Sequence, residues 1–116
     1  MKKIAIVYHS GYGHTARQAQ AVLEGASAVA GVEAKLYSVV DLDEAAWNEL
    51  DAADAILFGS PTYMGSASAK FKEFMETSSK RWFAQTWKDK LAAGFTTSAS
   101  QSGDKLNTLV QMMILA

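Results

Sequence analysis

The protein has 116 residues, enough for one domain with a core of its own but few for an α/β sandwich. Hydrophobic residues make up 49% of it, and 11 basic side chains against 12 acidic ones leave a formal net charge of −1, so nothing points to nucleic acid or an anionic membrane surface. With no cysteine, disulfides, thiolate metal sites and cysteine catalysis are excluded, and no metal site is expected.

Met1-Lys2-Lys3 before an apolar run has the look of a secretion signal, but the run is short and ends in His9-Ser10. Lys3 to Tyr8 therefore reads as a first strand, buried on both faces. No segment reaches transmembrane length, and a cytoplasmic protein is the expectation. Thr15 to Ala30 reads as a helix with Ala16, Ala19, Leu23, Ala26 and Ala30 on one face and Gly31 as its stop. Val32 to Val39 alternates like an edge strand. Asp43 is placed to cap a short helix running through Leu50, with Ala46, Trp47 and Leu50 turned inward. Ala55 to Gly59 is the third strand, Ser60 to Gly65 a loop, and Ala67 to Ser79 a helix with Phe71, Phe74 and Met75 as its buried stripe. An aromatic-rich connection, Arg81 to Asp89, precedes a fourth strand, Lys90 to Thr97. After the polar loop Ser98 to Gly103, Asp104 is expected to cap a last helix whose core face is Leu106, Leu109, Val110 and Met113.

This alternation predicts an α/β fold, a doubly wound parallel sheet with right-handed crossovers, in a single domain spanning residues 1–116. Ligands of such sheets sit beyond the carboxyl ends of the strands. Three loops leave those ends, Ser10–Thr15, Ser60–Ser66 and Thr97–Gly103, and all three are rich in Ser, Thr and Gly.

The first loop, Ser10-Gly11-Tyr12-Gly13-His14-Thr15, joins a strand directly to an alanine-rich helix. Glycines let the backbone approach an anion, amides converge on it, and the helix N-terminus adds its positive end. Ser10 and Thr15 add hydroxyl donors. The loop has no Lys or Arg, so a phosphate would be held by amides and hydroxyls, which suits a bound flavin mononucleotide (FMN) better than a nucleotide being hydrolysed. A Walker A loop would need Gly-Lys-Ser/Thr where Gly13-His14-Thr15 stands. Gly11, Gly13 and Ala16 do satisfy the dinucleotide pattern G-x-G-x-x-A, but the acidic residue that should follow the second strand is only Asp41, set late. A tight turn that binds nothing is the remaining reading; it has no need of so many donors.

Together, Tyr8 to Thr15, then Gly59-Ser60-Pro61-Thr62-Tyr63-Met64-Gly65, then Phe95 to Gly103 resemble the flavodoxin-like superfamily. The nearest likeness is to NAD(P)H:quinone oxidoreductases of the WrbA type and related NAD(P)H-dependent FMN reductases. The resemblance covers essentially the whole chain, and Ser-Pro-Thr-Tyr-x-Gly is its most specific part. It implies that Ser10, Tyr12, Gly13, His14 and Thr15 hold the FMN phosphate. It implies that Pro61, Thr62, Tyr63, Met64 and Gly65 line the isoalloxazine, and that Thr97, Ser98, Gln101, Ser102 and Gly103 approach from the other side. Trp82 matches an aromatic near the flavin in such proteins; as a residue alone it fits core or interface equally well. No dedicated acid or base is implied, because the cofactor carries the chemistry. Hydride would pass from NAD(P)H to FMN, and two electrons then to a quinone.

The likeness has two departures. Gln101-Ser102-Gly103 stands where the WrbA type carries a longer glycine-rich stretch, and the family pattern continues past Ala116 with a fifth strand and helix. The expectation is thus a C-terminally incomplete flavodoxin-like domain with strand order 2-1-3-4, the fifth strand absent. Strand 4 would then be an open edge beside a bare sheet face, which leads us to expect a homo-oligomer, a dimer or larger. A receiver-type signalling domain is rejected, because His9-Ser10 and Gly59-Ser60 hold the places of its acidic residues. An FMN carrier without reductase turnover remains the alternative function.

Overall fold

The apolar run near the N-terminus becomes the middle of a sheet because both of its faces can be buried. In the computed structural model, which describes residues 1–116, β1 (Lys2–Tyr8) pairs in parallel with β2 (Val32–Ser38) on one side and β3 (Ala55–Tyr63) on the other. β4 (Ser66–Ala67) folds back antiparallel on the end of β3, and β5 (Leu91–Thr97) pairs in parallel with β3 alone. The parallel order is β2-β1-β3-β5, so the four expected strands lie in the expected order.

Side chains alternate across these strands. Ala5, Val7, Ile56 and Phe58 point into the main core, where they meet Leu50, Phe71, Phe74 and Met112. Those partners come from α2 (Glu44–Ala52), α3 (Ala69–Thr77) and α5 (Lys105–Leu115). The opposite face takes α1 (His14–Ser27), where Ala19 and Ile6 are both fully buried. Asp43 caps α2 as expected, accepting from the Ala46 amide at 2.8 Å. Trp47 stacks on Phe74 at 5.3 Å and on Trp87 at 6.1 Å, which makes both tryptophans packing residues. Beneath them, Asp51 accepts from Arg81 Nε at 3.0 Å and from Trp87 Nε1 at 2.7 Å.

Five sequence expectations change. α1 ends at Ser27, three residues early, since nothing packs on its last alanines. The third strand does not stop at Gly59. Ser60-Pro61 reads as a turn in isolation, but pairing of Ser60 with Thr96 and Pro61 with Thr97 carries the strand through it, and pairing with β4 takes it on to Tyr63. Part of the aromatic connection is a short helix, α4 (Ser79–Ala84). Finally, Asp104 adopts a left-handed φ of 53° and does not cap α5; its carboxylate instead accepts from Ser98 Oγ at 3.1 Å. The face of α5 is also turned: Thr108 and Met112 are buried, while Leu106 and Met113 are exposed.

Candidate cofactor site

The carboxyl ends of β1, β3 and β5 converge on one cleft of about 420 Å³, within the usual range for small-molecule sites. Its walls are Gly11, Tyr12, His14 and Thr15 from the first loop, Pro61, Thr62 and Tyr63 from the second, and Thr97, Ser98 and Ala99 from the third. All three loops singled out in the sequence therefore contribute.

The first loop is folded around Ser10. Its Oγ accepts from the amides of Gly13 and Ala16, each at 3.1 Å. Gly13 sits at φ 97°, a backbone conformation that favours glycine, and directly precedes α1. Helix geometry leaves the first-turn amides of His14 and Thr15 without an intrahelical acceptor. Gly11 leaves room for a neighbouring side chain. A Cβ there would lie 2.0 Å from the Tyr63 hydroxyl, so the second loop leans onto bare backbone of the first. Tyr12 meets the same ring edge-on, with centroids 6.2 Å apart.

Hydroxyls tie the base of the cleft together. Thr15 Oγ1 lies 3.1 Å from Thr97 Oγ1, and Thr62 Oγ1 lies 2.7 Å from Thr96 Oγ1 and 2.8 Å from Thr108 Oγ1. Gln18 donates from Nε2 to the Thr96 carbonyl at 3.3 Å, while its Oε1 is buried without a partner. Behind the second loop, His9 Nδ1 lies 2.7 Å from Ser68 Oγ, which in turn accepts from the Phe71 amide and caps α3. Burial and, to a lesser degree, the Lys70 cation hold the His9 imidazole below its ordinary pKa.

Of the residues expected at the site, Tyr12, His14, Thr15, Pro61, Thr62, Tyr63, Thr97 and Ser98 line the cleft. Ser10 and Gly13 shape the loop without lining it. Met64 and Gly65 form the tip of the β3–β4 hairpin at φ 51° and 77°, with Met64 wholly exposed. Gln101, Ser102 and Gly103 are exposed, farther along the third loop. Trp82 is not brought to the cleft: it lies on α4, 68% exposed, beside a separate hollow lined by Met75, Arg81, Trp87 and Leu115. Aromatic type alone cannot separate a site residue from a surface one. Gly11 and Ala99 line the cleft without having been singled out. Gly11 was already one of the three positions of the dinucleotide pattern, whereas Ala99 carries no chemistry to mark it.

The donor set fits a flavin phosphate. It offers helix-terminal amides and neutral hydroxyls, and no Lys or Arg lines the cleft. Threonines and two tyrosines make up much of the remaining wall.

A parallel sheet with this strand order and a cleft at the strand ends defines a flavodoxin-like protein. The model of the NADPH-dependent FMN reductase family matches residues 3–115, and the chain belongs to that family. It is 50% identical over its full length to a protein named Flavodoxin FldP from Pseudomonas aeruginosa, covering 61% of that protein. It is 33% identical over 97% of its length to an NAD(P)H dehydrogenase (quinone) from Aromatoleum aromaticum, covering 64% of it. The chain thus spans less than two thirds of these relatives. A crystal structure of a WrbA-like flavodoxin from Agrobacterium tumefaciens superposes with a TM-score of 0.91 at 52% identity, over all of this chain and 72% of the other. No helix here is long and apolar enough to cross a membrane.

Proposed function

We propose that this chain binds FMN in the three-loop cleft and serves a cytoplasmic NAD(P)H-dependent reductase whose electron acceptor is a quinone. The observation that carries the reading is the meeting of a cation-free, amide-rich helix N-terminus with two hydroxyl-rich loops in one cleft. The amides of His14 and Thr15 would take the phosphate, with the Tyr12 and His14 side chains beside it and Ser10 and Gly13 holding the loop in shape. Pro61 to Gly65 would border the ring, and Thr97 and Ser98, continued by Gln101 to Gly103, would close the other side.

FMN, when held there, would supply the redox chemistry of a nicotinamide-dependent two-electron reduction. The chain's own part is to hold the phosphate, orient the ring between the second and third loops, and keep the cleft floor closed through its threonine hydroxyls. No side chain is required as a proton donor. A second reading is an electron carrier, favoured by the 50% identity to a protein named flavodoxin, of which this chain covers 61%. Steady-state oxidation of NADH and NADPH by FMN-loaded protein, with benzoquinone as acceptor, separates the two. Turnover with either nucleotide supports the reductase. FMN binding with neither nucleotide oxidised supports the carrier.

A further inference from the structure

We propose that Asn107 on α5 is a positioning residue for the β3–β4 hairpin, setting the orientation of the peptides that border the flavin; this rests on the FMN reading above. α5 places three polar side chains, Asn107, Thr108 and Gln111, on this one hairpin, and their spacing puts them on neighbouring positions of one helical face. Asn107 Nδ2 donates to the Gly65 carbonyl at 2.8 Å. Thr108 Oγ1 meets Thr62 Oγ1 at 2.8 Å, and Gln111 Oε1 accepts from the Ala67 amide at 2.9 Å.

The hairpin needs such support. β4 is two residues long, and only Thr62–Ala67 and Tyr63–Ser66 are paired across it. Two-stranded ribbons of that size have little stability of their own. Its tip also holds Met64, a residue with a side chain, at φ 51°. Within a peptide unit the C=O and the following N–H point in opposite directions. Fixing the Gly65 carbonyl on α5 therefore fixes where the Ser66 amide points. Thr108 is fully buried and Gln111 half-buried, so both have packing reasons to be there. Asn107 is exposed and could reach solvent equally well, yet its amide is committed to a loop carbonyl. An exposed side chain is also the member that can be changed with the fold intact.

The test compares wild type with Asn107→Ala, Asn107→Asp and Asn107→Gln, all confirmed folded by their unfolding midpoints. Three quantities are read: amide hydrogen exchange across residues 62–67 in the FMN-free protein, the FMN dissociation constant, and the midpoint potential of bound FMN. Loss of one hydrogen bond predicts faster exchange in the hairpin and FMN binding weakened about three- to tenfold in Asn107→Ala. The potential should move as well, because oxidised and reduced rings present different donors to the same peptides. Asn107→Asp, which lacks the donor, should behave like Asn107→Ala, and Asn107→Gln should recover part of the loss. Wild-type exchange, affinity and potential in Asn107→Ala overturn the proposal. If wild type itself fails to bind FMN, the FMN reading fails, and the exchange data alone decide: faster hairpin exchange in Asn107→Ala supports the clamp, and unchanged exchange overturns it.

Discussion

Ser10 shows how much one hydroxyl can organise. By accepting from the amides of Gly13 and Ala16 it closes the first loop into a cradle, leaving the His14 and Thr15 amides as the free donors. Ser10→Ala should weaken FMN binding about tenfold, since the cradle loses two bonds that preorganise it, while the unfolding midpoint changes little. A flavin titration that matched wild type would show that the loop's shape does not depend on Ser10. Thr15 is a less clean probe than its place in the motif implies, because it is buried and its hydroxyl is engaged with Thr97. Thr15→Val would disturb the contact between the first and third loops as well as any phosphate bond. His9 gives a pH prediction. Its folded-state pKa lies below the ordinary 6.5, so the unfolded chain takes up the proton more readily than the folded one. Stability is then unaffected by this group above pH 6.5 and is lost as pH falls from 6.5 through the folded-state value. Denaturant unfolding followed from pH 7.5 downward should show a smaller loss in His9→Gln than in wild type. An identical pH profile would show that His9 does not titrate across folding.

Among the elements, those with one polar and one apolar side were legible in the sequence. The stripe of Phe71, Phe74 and Met75 and the Asp43 cap were set by local pattern and lie where that pattern places them. α5 was not legible in the same way. Its polar side chains Asn107, Thr108 and Gln111 share a face that the pattern assigns to solvent, and partners distant in sequence turn that face inward. Thr62, Gly65 and Ala67 draw Asn107, Thr108 and Gln111 inward, and Leu106 and Met113 are left outside. The same holds for β3, whose residues beyond Gly59 are strand only because β5 pairs with Ser60 and Pro61 and β4 with Thr62 and Tyr63. Two element-scale predictions follow from close contacts. A Cβ at Gly59 would fall 2.3 Å from the Phe95 ring, so Gly59→Ala should destabilise the β3–β5 pair by about 1–3 kcal/mol through overpacking. Equal unfolding midpoints for Gly59→Ala and wild type would mean that the ring moves aside freely. Asp51 anchors α2 to the segment after α3 by accepting from Arg81 and Trp87, both at well-shielded positions. Asp51→Ala should cost about 2–4 kcal/mol, since it leaves a guanidinium and an indole N–H without their acceptor. Chemical denaturation with a wild-type midpoint would remove that anchor from the account.

At the scale of the whole molecule, the sheet is covered unevenly. β5 pairs on one side only, Leu91 is 75% exposed, and α5 presents Leu106, Met113 and Ile114 outward beside it. Open strand edges and contiguous apolar surface favour association. This chain at micromolar concentration should therefore sediment as a dimer or larger, through the β5 edge and the outer face of α5. Sedimentation as a monomer, unchanged by Leu91→Lys or Met113→Lys, would contradict this. Leu91, Leu106, Met113 and Ile114 do not line the cleft, whose walls come from the carboxyl ends of β3 and β5, the start of α1 and the loops beside them. The proposed function requires that this cleft hold a flavin by its phosphate. The direct measurement is a fluorescence titration of the FMN-free protein with FMN and with riboflavin, which differ only in that phosphate. The account predicts one FMN per chain and binding of riboflavin weaker by a factor of ten or more, in line with several amide bonds to a charged group. Equal affinity for the two, or no binding of either, would contradict it.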